Sequence, residues 1–140
     1  MKNIAIQLLI LLFTVSGFAC RCKEKSWRKA AQEADLIVSG KVISENPMID
    51  SPGHASVKYV ILVSDVIKGK IKTDTIKITT GIGGGDCGYN FKVGKNYIIY
   101  SYYNKYVAGE IYTDDCTRTS EFDEIELKKI KRFARRKGYS

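Results

Sequence analysis

Between residues 35 and 114 the apolar positions fall into short runs and alternations that belong to strands rather than helices. "DLIVSGKVI" (35–43) is rich in branched residues, and Gly40 within it marks a bulge or a close approach of another backbone. "SVKYVILVSDVIKG" (56–69) sets Val57, Tyr59, Ile61 and Val63 on one face of a second long strand. "DTIKITTG" (74–81), "KNYIIYSYYN" (95–104) and "AGEIYTD" (108–114) read as three more. "ENPMIDSPGHA" (45–55) holds both prolines and the only histidine, and reads as a loop. A glycine-rich loop, "GIGGGDCGYNF" (81–91), surrounds Cys87.

The period changes at both ends of this stretch. In "SWRKAAQEA", Trp27, Ala30, Ala31 and Ala34 recur at i, i+3, i+4 and i+7, which predicts a short amphipathic helix. From Ser120 onward Phe122, Ile125, Ile130 and Phe133 form an apolar helical stripe. Acidic residues open this second helix, basic ones close it and Gly138 follows, as the helix dipole and a glycine stop require. The fold class expected is all-β with flanking helices: a five-stranded OB-fold barrel carrying a short N-terminal helix and a C-terminal helix.

The first residues change what the rest can mean. Lys2 gives a positive start, Ile4 to Phe13 is almost wholly apolar, and Gly17-Phe18-Ala19 precedes Cys20. That layout is a secretory signal peptide over 1–19, against the competing reading of a buried first helix. The apolar run is about half the ~20 residues that a membrane-spanning helix needs. The working domain is then 20–140, secreted or periplasmic. A lipid anchor on Cys20 is the alternative, although a lipobox places a leucine-like residue where Gly17 stands.

Cys20, Cys22, Cys87 and Cys116 all follow the leader. In an exported chain an even cysteine count reads as disulfides. A zinc site competes, but neither a C-x-x-C spacing nor a histidine pair supports it. Cys20 and Cys22 are too close to pair with each other without a strained ring, so each reaches a distant partner.

The net charge of +8 comes from one end. Residues 128–140 carry Lys128, Lys129, Lys131, Arg132, Arg135, Arg136 and Lys137 with no acidic residue. Such a tail can meet a polyanion or an anionic membrane surface, or it is a solvated helix face. Nucleic acid is not an expected partner of an exported domain.

No enzyme emerges from the remaining residues, and no cofactor is implied. His54 has no second histidine to form a triad or metal site. Asp114 and Asp115 are adjacent, so on a strand end they point to opposite sides and read as turn residues. "GIGGGDCG" lacks the Lys-Ser/Thr of a P-loop, and is better explained as open backbone beside a disulfide. The tyrosines of "YIIYSYY" are ordinary strand residues, with a base-stacking platform as the competing reading.

C-x-C at the mature N-terminus, the short helix, "ADLIVSGKV", "KG" after a long strand, "CGYNFKVGKNYIIY" and "CTRT" together resemble the tissue inhibitor of metalloproteinases family. That family lies within the netrin-like group of OB-fold modules, and the resemblance runs from Cys20 through the terminal helix. It implies the pairs Cys20–Cys87 and Cys22–Cys116. It also implies that the free α-amino group and carbonyl oxygen of Cys20 chelate the zinc of a partner metalloprotease, with Arg21 and Cys22 alongside as an inhibitory edge. The chelate is chemically coherent, because zinc takes nitrogen and oxygen ligands at its open position. Two departures bear on it. Arg21 stands where the animal inhibitors place a small residue, and burying its charge in an apolar pocket is costly. The separate C-terminal domain and the third bridge of the animal inhibitors' N-domain are not in this sequence. The alternative function is a non-inhibitory netrin-like module that binds a protein, glycan or membrane surface through the basic C-terminal helix.

Overall fold

The computed structural model describes residue 20, residues 22–51 and residues 53–139. The expected leader, and Arg21, lie outside the described residues. The elements run α1 (Trp27–Glu33), β1 (Leu36–Ser51), β2 (His54–Lys68), β3 (Thr75–Gly81), a 3-10 turn (Gly84–Asp86), β4 (Asn96–Tyr103), β5 (Ile111–Tyr112), β6 (Ser120–Glu121) and α2 (Glu124–Lys137).

Five strands close into a ring in the order β1-β2-β3-β5-β4, and β4 returns to β1. All pairings are antiparallel except β3 with β5. This is the expected OB-type barrel with helices at both ends of the chain. β1 carries the closure. Its first part pairs with β2 on one edge, and with β4 on the other from Leu36↔Ser101 to Lys41↔Asn96. Register shifts on the β2 side, at Ile37/Val38, Ser39/Gly40 and Val42/Ser44, bend the strand around the ring. A Cβ on Gly40 would sit 2.5 Å from the Leu62 carbonyl oxygen and 2.8 Å from Ile61 Cγ2. Gly40 is therefore both at a bulge and under a close backbone approach.

Strand periodicity divides the core in two. Leu36, Val38, Tyr97 and Ile99 point into the barrel with Tyr59, Ile61 and Ile78. Ile37, Ile98 and Tyr100, one residue out of phase, point outward and are buried beneath the helices. Burial on both faces explains why these two strands read as continuous apolar runs, while β2 alternates. On α1, Ala30 and Ala31 lie flat against the barrel. Lys68 Nζ, at the end of β2, donates to the Ala31 and Gln32 carbonyls at 3.0 and 2.9 Å, satisfying the last turn of α1.

Four expectations change. The loop over 45–55 is paired backbone: β1 and β2 continue as a hairpin to Ser51↔His54. Pro47 is accommodated because β1 has left β4 by then and presents a free edge. The strand over 108–114 shrinks to Ile111–Tyr112. Ser120–Glu121 pairs with β4 instead of opening the helix, which begins after Asp123. The Asp123 carboxylate accepts from the Ile125 and Glu126 N–H groups at 2.7 and 3.0 Å. Finally, α2 packs through Leu127, Ile130 and Ala134, with Phe133 partly buried, whereas Phe122 and Ile125 are exposed.

Ile130 is fully buried and Ile125 is 66 % exposed, so the two isoleucines of α2 should behave oppositely. Ile130→Ala is expected to cost about 2–5 kcal/mol in denaturant unfolding. Ile125→Ala should stay within about 0.5 kcal/mol of the native chain. Equal losses at both positions would contradict this docking of α2.

Candidate functional site

The chain enters the fold through Cys20 and Cys22, and both are anchored at once. Cys20 is bonded to Cys87 in the glycine-rich loop, and Cys22 to Cys116 in the segment between β5 and β6. The bridges lie against each other: Cys20 Sγ is 3.7 Å from Cys22 Sγ and 4.0 Å from Cys116 Sγ. Two such bonds belong to an oxidising compartment. The four sulfurs lie within 4.8 Å of one another, but as disulfides they offer no thiolate to a metal.

Both receiving segments are held rigidly. The first is built around Asp86, whose carboxylate accepts from the N–H groups of Ile82 and Gly83 at 2.8 Å each and of Gly88 at 3.0 Å. Burial alone would push this carboxyl up. The backbone donors outweigh it and hold the group below the ordinary carboxylate range. Three close N–H donors converging on one side chain explain the glycines far better than a phosphate cradle does. Cys87 itself sits in the left-handed region at φ 58°.

The second segment rests on three buried threonines. Thr113 Oγ1 donates to the Tyr100 carbonyl at 2.8 Å, and the hydroxyls of Thr117 and Thr119 lie 3.0 and 2.8 Å from it. Asp114 Oδ1 accepts from Cys116 N–H at 2.8 Å, and Asp115 N–H donates to the Cys87 carbonyl at 2.8 Å, tying the two segments together. Asp114 is thus a turn residue. Burial, with Asp114 and Asp86 nearby, raises the Asp115 carboxyl.

A groove of about 540 Å³ lies next to this anchored end, between the β1–β2 hairpin tip and the glycine-rich loop. Ile49, His54, Ile82, Gly83 and Asp86 line it, and Ile49 and Ile82 are 84 % and 54 % exposed. Sequence reasoning missed both isoleucines. Their exposure depends on the hairpin reaching past the barrel, and local pattern does not reveal that. His54 stands at the start of β2 rather than in a loop. Of the tyrosines of "YIIYSYY", Tyr97 and Tyr100 are buried and Tyr102 is half-buried, which leaves Tyr103 as the exposed ring rather than a row of them.

The basic residues of α2 separate into classes. Lys128 pairs with Glu124 at 2.8 Å, and Lys131 with Asp65 at 2.6 Å. Lys129, Arg132, Arg135, Arg136 and Lys137 are exposed and have no acidic partner among the described residues. No described helix is long and apolar enough to cross a membrane. No protein-family model and no curated protein matches the chain.

Three measurements test this site. Replacing Cys22 and Cys116 together by serine should cost about 2–5 kcal/mol, as in other small disulfide-bonded domains. A non-reducing peptide map of the native chain should give only Cys20–Cys87 and Cys22–Cys116 peptides; a Cys20–Cys116 peptide would contradict the structure. Asp86→Asn should lower stability by about 1 kcal/mol at neutral pH. Because the folded carboxyl titrates below its unfolded value of about 3.9, its contribution is present above that pH. It is lost as pH falls through the folded pKa, so the native and variant unfolding curves should converge in strong acid.

Proposed function

We propose that the mature protein is an exported inhibitor of zinc metalloendopeptidases of the tissue-inhibitor, netrin-like kind, acting through the α-amino group and carbonyl oxygen of Cys20. One observation carries this reading: the C-x-C segment is clamped by two adjacent bridges onto two hydrogen-bonded loops. A backbone chelate gains most when its ligand atoms are ordered before binding, since little conformational entropy is then lost on the metal. The groove with exposed Ile49 and Ile82, next to Cys87, offers apolar surface for the body of a protease. Cleavage of the leader after Ala19 frees the amine; lipidation or any extension there removes it. An α-amino pKa near ~8 makes loss of its proton on zinc inexpensive.

A second reading is favoured by the unpaired cations of α2. In it the chain is a binding module that holds an anionic partner through this helix and does not act on proteases.

The mature protein beginning at Cys20, a form with one alanine added before it, and Arg21→Thr discriminate the readings against a panel of zinc metalloproteases. The extension keeps both disulfides but moves the amine off the metal, so inhibition should fall below detection. Arg21→Thr keeps the chelate and avoids desolvating a charge, so inhibition should strengthen by about 10-fold or more. Undiminished inhibition by the extended form would rule out chelation. Inhibition by none of the three would leave only the binding module.

A further inference from the structure

A second groove, of about 350 Å³, runs between α1 and α2 and is lined by Trp27, Arg28, Lys129, Arg132, Phe133 and Arg136. Its floor is apolar. Trp27 and Phe133, both partly buried, meet edge to face with ring centroids 5.6 Å apart. Its walls are cationic. The Arg28 guanidinium lies 4.9 Å above the Trp27 ring from α1. Lys129, Arg132 and Arg136, at i, i+3 and i+7, share one face over two turns of α2.

The carboxylates near these helices are engaged elsewhere. Glu33 faces Lys25 and Lys29, Glu124 faces Lys128, and Glu126 faces Arg118. Among the described residues no acidic side chain pairs with any of the four groove cations. Like charges gathered around one concavity repel, and their field is strongest where the walls are low in dielectric. A site of this kind is completed by an anion from outside.

We propose that this groove binds a linear sulfated glycan, its sulfate groups held by Arg28, Lys129, Arg132 and Arg136 above the aromatic floor of Trp27 and Phe133. The proposal rests on the anion-binding part of the second reading above and holds with or without protease inhibition. Guanidinium forks match the paired oxygens of a tetrahedral oxyanion, and three of the four cations are arginines. Cations rising from two walls contact a chain lying between them from both sides. A flat bilayer is matched by cations on a convex face, whereas these rise from the two walls of a concavity. An oxidising compartment also sets the protein among glycans rather than nucleic acid.

Trp27 is the only tryptophan, so its fluorescence reports this groove alone. The mature chain is titrated with a heparin octasaccharide, with the same octasaccharide after desulfation, and with phosphatidylglycerol–phosphatidylcholine vesicles. The sulfated octasaccharide should shift Trp27 emission saturably, with affinity falling as salt rises. Arg132→Glu with Arg136→Glu should weaken binding by about 10-fold or more, the loss of at least one charge-assisted hydrogen bond. Arg135→Glu with Lys137→Glu makes the same change of charge outside the groove and should keep affinity within about 3-fold, on the scale of exposed charge effects. All four positions are exposed, and matching melting curves confirm that the variants fold. Equal losses in both double variants would overturn the groove and leave diffuse attraction to α2. Equal binding of the desulfated chain, or binding to vesicles alone, would overturn the sulfated-glycan assignment. No binding to any probe would end the binding-module reading as well.

Discussion

The barrel depends on β1 pairing along both edges while it bends. Between Ile37 and Lys41 the strand gives one set of backbone groups to β2 and the other to β4, so the sheet has no free edge there. The bend is possible because Gly40 lets the Leu62 carbonyl come closer than any side chain would allow. Once the ring closes, alternate residues of β1 and β4 face either the barrel interior or the helices. The buried members of both sets are apolar apart from Ser39 and Ser101, whose hydroxyls are hydrogen-bonded. The helices then act as lids over Ile37, Ile98 and Tyr100.

A second constraint joins the segment after Cys22 and the helix α2 to this frame. Glu126, in the first half of α2, accepts from the Tyr100 hydroxyl at 3.0 Å and from Arg118 Nε and Nη2 at 3.1 and 2.9 Å. Arg118 in turn donates to the Lys25 carbonyl at 3.2 Å, just after the C-x-C segment. Arg118 adopts φ 78°, an unusual conformation for a non-glycine residue, retained here by a bidentate ion pair. Burial, reinforced by the Glu126 carboxylate, keeps the Tyr100 hydroxyl protonated far above its ordinary range. The entry of the chain, the segment bearing Cys116 and the terminal helix are thus coupled by one polar cluster.

The two proposed activities occupy different structures. The proposed chelation would use the disulfide-clamped end, between the glycine-rich loop and the segment bearing Cys116. The anion groove belongs to the helix pair, and its cations stand on α1 and α2 rather than on either receiving loop. A protein holding a sulfated matrix through one and a protease through the other would need no conformational change to do both.

Local pattern alone determined much of this. Strand positions follow from apolar runs and period-2 alternation, the helices from the period of their apolar residues, and the expectation of bridges from an even count of four cysteines. These are properties of neighbouring residues, so no tertiary knowledge is needed to read them. Tertiary structure decided what depends on distant neighbours. Pro47 could join a strand because β4 had turned away, and Ile125 lost its place in the core to Leu127 because of how α2 lies on the barrel. The spacing of the cysteines left their partners open, and the fold decides them by which loops it brings to Cys20 and Cys22. The seven tail cations are identical in kind along the sequence. Lys128 pairs with Glu124 four residues before it, a local match. Only packing reveals that Lys131 is neutralised by Asp65 and that Lys129, Arg132 and Arg136 meet Arg28 across an aromatic floor, because these partners are chosen through space.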